Sequence, residues 1–173
     1  MVMKSKSVIG QKKLITATKT RPSNTTAYTA DDVVSEDAST GTTWTFSAAV
    51  PTNGGSGTIV GAVLLDDENG VTQVMTLHLF NTTPTGVLND NVANTSPVAA
   101  DADNYLGRID FPALTDHGSG FSVARAQWGG AEGLPLPFVC AAGDAALYGV
   151  LVTAGYTPTS GEIFRVNLII DRD

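Results

Sequence analysis

Residues Thr42–Val50 read TTWTFSAAV, and large apolar side chains occupy alternate positions in this stretch. Trp44 and Phe46 would share one face of an extended chain, while Thr45 would lie on the opposite face. This alternation is typical of a β-strand with one buried face. The next segment, 51–57, reads PTNGGSG and predicts a loop that ends strand pairing.

Working outward from this stretch, apolar patterning predicts strands almost everywhere and no convincing helix. The predicted strands after the first are Thr58–Asp66, Thr72–Phe80, Tyr105–Phe111, Gly120–Gln127, Phe138–Ala141, Ala146–Thr153 and Ile163–Ile170. Residues Leu14–Thr20 form a possible edge strand, which brings the total to eight or nine. The chain contains 22 threonines, 18 glycines and 8 prolines, a composition that favours strands and turns.

Turn-rich connections without crossover helices predict an all-β fold, an antiparallel β-sandwich. Eight strands with one or two long connections that cross from one sheet to the other favour a jelly roll. An immunoglobulin-like sandwich is the alternative, although Cys140 is the single cysteine and the antibody-type cysteine pair is missing.

One hairpin is predicted from a local signal. Residues 58–66 are apolar on both faces, which indicates a central strand. Asp67-Glu68-Asn69-Gly70 follows, and Asn-Gly supplies the positive φ angles of a tight turn. We therefore expect residues 72–80 to return as the partner of 58–66.

Charge is distributed unevenly along the 173 residues. Residues 1–21 have six basic side chains and no acidic one, whereas residues 22–173 have four arginines against 17 acidic residues, a formal charge of −13. The sequence predicts a basic, extended N-terminal arm over 1–21 and a single β-sandwich domain over 22–173. The acidic body would repel nucleic acid. The arm is expected to bind acidic partners through Lys4, Lys6, Lys12, Lys13, Lys19 and Arg21.

Composition restricts the class further. A hydrophobic content of 42% excludes a disordered chain. No apolar run approaches the ~20 residues of a membrane-spanning helix, so no membrane partner is expected. The polar first residues lack the apolar core of a secretory signal, and we expect synthesis in a cytoplasm.

Catalytic motifs are missing from the sequence, which predicts a protein that is not an enzyme and uses no cofactor. Cys140 lies in an apolar segment and is expected to be a buried structural thiol. His78 alternates with apolar residues on a predicted strand, while His117 lies in a polar turn. The two tryptophans, Trp44 and Trp128, do not predict an aromatic-rich platform for sugars.

Two carboxylate clusters and one long connection remain. Residues 66–68 and the pair Asp101 and Asp103 could supply oxygen ligands to calcium, but neither matches a complete calcium loop, so solvated turns are the simpler interpretation. The connection 81–104 is longer than most strand connections, and such loops tend to be functional or interfacial.

Several segments resemble small structural proteins of tailed bacteriophages and prophages. The resemblance covers roughly residues 22–173 and is carried by Ala27–Val34, Trp44–Ser47, Asn53–Gly57, Leu77–Phe80, Ala102–Asp103, Tyr148–Thr153 and Leu168–Asp171. The lysine-rich start departs from the family pattern, whose members begin nearer Tyr28.

This resemblance implies a virion protein, a head decoration or cement protein with a jelly-roll fold. Such a protein would sit on the capsid exterior, bind the major capsid protein and stabilise its contacts, and associate with itself as a homodimer or homotrimer. A phage tail or baseplate component, or a module that binds glycans of the host surface, is the alternative function, and a β-sandwich hydrolase is a third.

Overall fold

A computed structural model describes residues 11–129 and 133–173. This part of the chain contains eleven strands and one short 3₁₀ helix, Ala99–Asn104. The strands are β1 (Gln11–Thr20), β2 (Asp32–Val34), β3 (Trp44–Phe46), β4 (Ser56–Asp66), β5 (Met75–Phe80), β6 (Tyr105–Phe111), β7 (Thr115–Asp116), β8 (Ser122–Arg125), β9 (Leu136–Val139), β10 (Leu147–Thr153) and β11 (Ile163–Arg172).

The strands form two antiparallel sheets packed face to face. Sheet A has the order β1-β11-β4-β8-β7, and β9 also pairs with β4. Sheet B has the order β2-β10-β5-β6, and β3 also pairs with β10. The predicted all-β antiparallel sandwich is confirmed.

The main core lies between the sheets and follows the period-two pattern of the sequence. In β3, Trp44 and Phe46 are buried while Thr45 between them is exposed, as the alternation in Thr42–Val50 predicts. In β11, Phe164, Val166 and Leu168 point inward and are fully buried. Trp44 also donates its indole N–H to the carbonyl oxygen of Val34 at 3.0 Å, so its one polar atom is paired inside the core.

The predicted hairpin between 58–66 and 72–80 is wrong, although its turn exists. Gly70 has the expected positive φ of 83°, but β4 belongs to sheet A and β5 to sheet B. One edge of β4 is paired with β11 and the other with β8 and β9, so no edge remains for β5. Residues 67–74 cross between the two sheets instead.

The predicted arm over 1–21 is wrong for residues 11–21. Residues 11–20 form β1, which pairs with β11 along its whole length, and the possible edge strand at 14–20 is confirmed. Ile15 and Ala17 are buried because the alternation of the strand turns them toward the core. Because this segment is rich in lysine, its sequence was interpreted as a charged arm and not as a strand with alternating buried residues. Residues 1–10 lie outside the described residues.

The long connection 81–104 packs against the outer side of sheet B. Val87 and Leu88 contact a small second cluster in which Val33, Phe80 and Val152 are buried. The connection also runs beside β2, since the N–H of Val33 donates to the carbonyl oxygen of Val92 at 3.0 Å. The segment is therefore a structural part of the sandwich.

Candidate interaction surface

The six basic residues of the predicted arm have different environments. Lys4 and Lys6 lie outside the described residues. Lys12 and Lys13 are exposed on β1, and Lys12 forms an ion pair of 3.7 Å with Asp171, in which both side chains are largely exposed. Such a surface pair contributes little to stability. Lys12 and Lys13 are thus open to solvent at one end of sheet A.

Lys19 is not a surface residue, contrary to the prediction. It is only 7% exposed, and its ammonium group binds the carboxylate of Glu36 and the carbonyl oxygen of Thr42, the latter at 2.7 Å. Burial lowers the pKa of Lys19. Burial alone would raise the pKa of Glu36, but hydrogen bonds from Lys19 and from Thr42 hold it at about 2. Lys19 therefore joins β1 to the segment before β3.

Arg21 is also internal, which corrects its assignment to the arm. Its Nη2 lies 3.1 Å from Asp90 Oδ2, and neither side chain reaches solvent. Arg21 Nε donates to the Tyr28 hydroxyl, which in turn donates to Asp90 Oδ1 at 2.6 Å. The backbone N–H of Ser35 also donates to Asp90 Oδ1 at 3.0 Å. Because Asp90 belongs to the connection 81–104, this network attaches that connection to the N-terminal part of the sandwich.

The outward side chains of sheet A lie in three rows across the sheet. The register pairs Leu14 with Ile169 on neighbouring strands, and both side chains point away from the core, Leu14 being 59% exposed. Two further outward rows cross the sheet, Thr16–Asn167–Val63–Arg125 and Thr18–Arg165–Leu65–Val123. We call these ten residues the sheet A face.

Charge on the sheet A face is positive in a chain whose net charge is −7. Arg125 and Arg165 are exposed, and their pairing partners in the rows, Val63 and Leu65, are half-buried neighbours on β4. The face thus combines an apolar centre with two guanidinium groups. Apolar side chains accompanied by arginines are characteristic of protein-binding surfaces.

The carboxylate clusters are engaged within the chain. Asp66 and Glu162 are 0% and 1% exposed, and the neighbouring Glu162 carboxyl group adds to burial in raising the pKa of Asp66 to about 9. Asp66 Oδ2 and Glu162 Oε1 receive no hydrogen bond from a donor group of the described residues, so a proton on one carboxyl group can bridge the pair. Asp101 accepts hydrogen bonds from the backbone N–H and the hydroxyl of Thr85. Among the described residues, no group of three or more histidine, cysteine, aspartate or glutamate side chains is placed to hold a metal ion.

The single cysteine and the two histidines lie apart in the fold. Cys140 is 3% exposed, and burial raises the pKa of its thiol to about 11, so the expected buried thiol is confirmed. His78 lies on β5, with its Nδ1 3.2 Å from the hydroxyl of Tyr105. His117 stacks on Phe121 in the turn after β7, at 5.9 Å between ring centroids.

A cleft that the sequence did not predict lies at the edge of sheet B. It has a volume of about 720 Å³ and is bordered by Val74, Thr76 and Asp110 on one side and by Trp128 on the other. Trp128 is 65% exposed, the most exposed of the large apolar side chains described. In the sequence, the exposure of Trp128 is indicated only by its position between two strands and directly before Gly129.

Comparison of the sequence with known proteins finds no matching family model and no matching curated protein. In the described part of the chain, no helix has the length and apolar character needed to cross a membrane.

Proposed function

We propose that the protein is a virion structural protein that binds the outer surface of a tailed-phage capsid and stabilises contacts between major capsid proteins. The observation that carries this proposal is the sheet A face, where an apolar centre and two exposed arginines lie together on a long strand surface. The resemblance of residues 22–173 to phage structural proteins gives the class of partner.

The order of the strands supports the jelly-roll form of this proposal. Successive parts of the chain alternate between sheets: β1 in sheet A, β2 and β3 in sheet B, β4 in sheet A, β5 and β6 in sheet B. The chain then returns to sheet A with β7, β8 and β9, to sheet B with β10 and to sheet A with β11. Such crossings are compatible with a jelly roll, in which two Greek keys form a double sheet.

The location of the charged residues changes how docking would work. Lys19 and Arg21 are used inside the fold, so Arg125 and Arg165, together with the exposed Lys12 and Lys13, are the cations of sheet A that would meet acidic groups of the capsid. Opposite charge would accelerate docking and orient it, while burial of Val63 and Leu65 would supply most of the affinity. Two or three copies around a symmetry axis would present the same face repeatedly.

The proposal is tested by an electron cryomicroscopy map of the phage particles whose genome encodes this protein. We expect copies at symmetric positions on the head exterior. Density on the tail or baseplate would support the alternative location instead, and absence of the protein from purified virions would refute a virion role.

A binding assay on purified heads tests the docking face itself. The double substitution R125A/R165A removes two positive charges from the sheet A face, and we expect it to lower occupancy, most strongly at low salt. The matched control T25E/S39E makes the same change in net charge at two exposed positions elsewhere. Equal loss in both double variants would show a net-charge effect and contradict the assigned face.

A further inference from the structure

The cleft beside Trp128 has the shape and lining of a small-ligand site. Its volume of about 720 Å³ falls within the roughly 300 to 1,000 Å³ usual for ligand clefts. Trp128 and Val74 border it and are 65% and 51% exposed, so an indole ring and an aliphatic side chain are offered to a ligand. The free chain leaves this apolar surface in contact with water, which favours a ligand that covers it.

The polar groups of the cleft balance each other in charge. Arg108 Nε lies 3.4 Å from Asp110 Oδ1, and Thr76 donates its hydroxyl to the same oxygen at 2.9 Å. The three residues come from the paired strands β5 and β6, which fix their spacing. Since one cation and one anion are already paired, the cleft selects for an uncharged ligand that both donates and accepts hydrogen bonds.

A second, smaller cleft continues from the first along the outer side of sheet B. Its volume is about 200 Å³, and it shares Val74, Thr76 and Arg108 with the larger cleft. Asp31, His78 and Asn94 add a carboxylate, an imidazole and an amide to its lining, and the added carboxylate disfavours an anionic ligand. The two clefts together extend from Trp128 across β6 and β5 to Asn94, which suits a chain of several similar units better than one compact molecule.

We propose that this groove binds a neutral oligosaccharide. A pyranose ring has an apolar face of C–H groups that stacks on an indole ring, and its hydroxyl groups both donate and accept hydrogen bonds. Trp128 would take the apolar face, while Asp110, Arg108 and Thr76 would bind the hydroxyl groups. This activity goes beyond capsid docking, because the groove is formed by β5, β6 and Trp128 and shares no residue with the sheet A face.

The test measures binding of defined sugars to the full chain by intrinsic fluorescence. The protein has two tryptophans: Trp44 is 1% exposed, whereas Trp128 is exposed to solvent and would dominate any ligand-induced change in emission. The probes are cellohexaose, maltohexaose and the hexamer of N-acetylglucosamine, with a heparin hexasaccharide as the anionic comparison. We expect saturable binding of at least one neutral probe. Binding of none, or of the heparin fragment alone, would overturn the proposal.

Substitutions locate the binding to the groove. For the neutral probe that binds, W128A should raise Kd about tenfold, the effect of losing one aromatic contact, as measured by calorimetry because the reporter is removed. D110N should also weaken binding. F121A removes another exposed aromatic outside the groove and should leave Kd unchanged. Unchanged affinity in W128A, or an equal loss in F121A, would refute the assignment. R125A/R165A should bind the sugar normally, so this test is independent of capsid docking.

Discussion

Replacing Asp66 with asparagine should remove a pH dependence from the stability of the fold. Burial, together with the hydrogen bond to Glu162, raises the pKa of Asp66 to about 9, and burial also raises the pKa of Glu162. An aspartate in an unfolded chain has a pKa of about 4. Between these two pH values, the folded pair keeps a proton that the unfolded chain releases. The free energy of unfolding therefore falls as the pH rises through this window.

The size of the effect follows from one proton held by the pair. A full proton taken up on folding changes the free energy of unfolding by about 4 kcal/mol between pH 5 and pH 8. This is a large share of the roughly 5 to 15 kcal/mol that stabilises a typical domain. The side-chain amide introduced by D66N would donate an N–H to Glu162 at every pH in this range, so the proton is no longer needed.

Urea unfolding at pH 5, 6, 7 and 8 measures this dependence. The wild-type chain should lose stability steadily with rising pH, while D66N should show a much flatter profile. D103N removes an exposed carboxylate and should run parallel to the wild type. D66N and D103N each change one carboxyl group, so the pH dependence that arises from the rest of the protein is common to all three chains. Parallel profiles for the wild type and D66N would refute the shared proton.

Three further predictions concern stability and reactivity. R21M should cost about 3 to 5 kcal/mol in urea unfolding, because it leaves the Asp90 carboxylate buried without its cation; a cost below about 1 kcal/mol would contradict the network. G41A would place a Cβ 2.0 Å from a backbone oxygen of the connection 81–104 and should lower Tm sharply, whereas G120A, whose Cβ has no neighbour within 4 Å, should not. Cys140 should react with a thiol reagent only after unfolding, since it is buried; rapid reaction of the native chain would show an open site.

Local patterns in the sequence predicted most of the strands, but they predicted neither the short strands β2 and β7 nor how the strands pair. The alternation in Thr42–Val50 gave the buried face of β3 correctly, because facing direction depends only on the period of a strand. The turn at Asn69-Gly70 was also correct. The partner of β4 depends on β8, β9 and β11, which lie far along the chain, and no local signal reports that its edges are already paired.

The charged residues were the least predictable part of the candidate site. A lysine or arginine is nearly always exposed unless it is paired, and the pairs here are long-range. Arg21 meets Asp90, 69 positions away, and Lys19 meets Glu36. Arg125 and Arg165 come together on one face only through the register of β8, β4 and β11. Trp128 was missed because it lies outside any strand pattern.

The pairing of β1 with β11 sets the order of events during synthesis. Thr16 and Asn167 are hydrogen-bonded neighbours in sheet A although they are 151 positions apart in the chain. While a ribosome is still making the middle of the chain, β1 has no strand to pair with, and its backbone and apolar residues stay open to other molecules. Such a high contact order favours slow folding after release. Lys12 and Lys13, by repelling like neighbours, would protect nascent copies from joining at this strand.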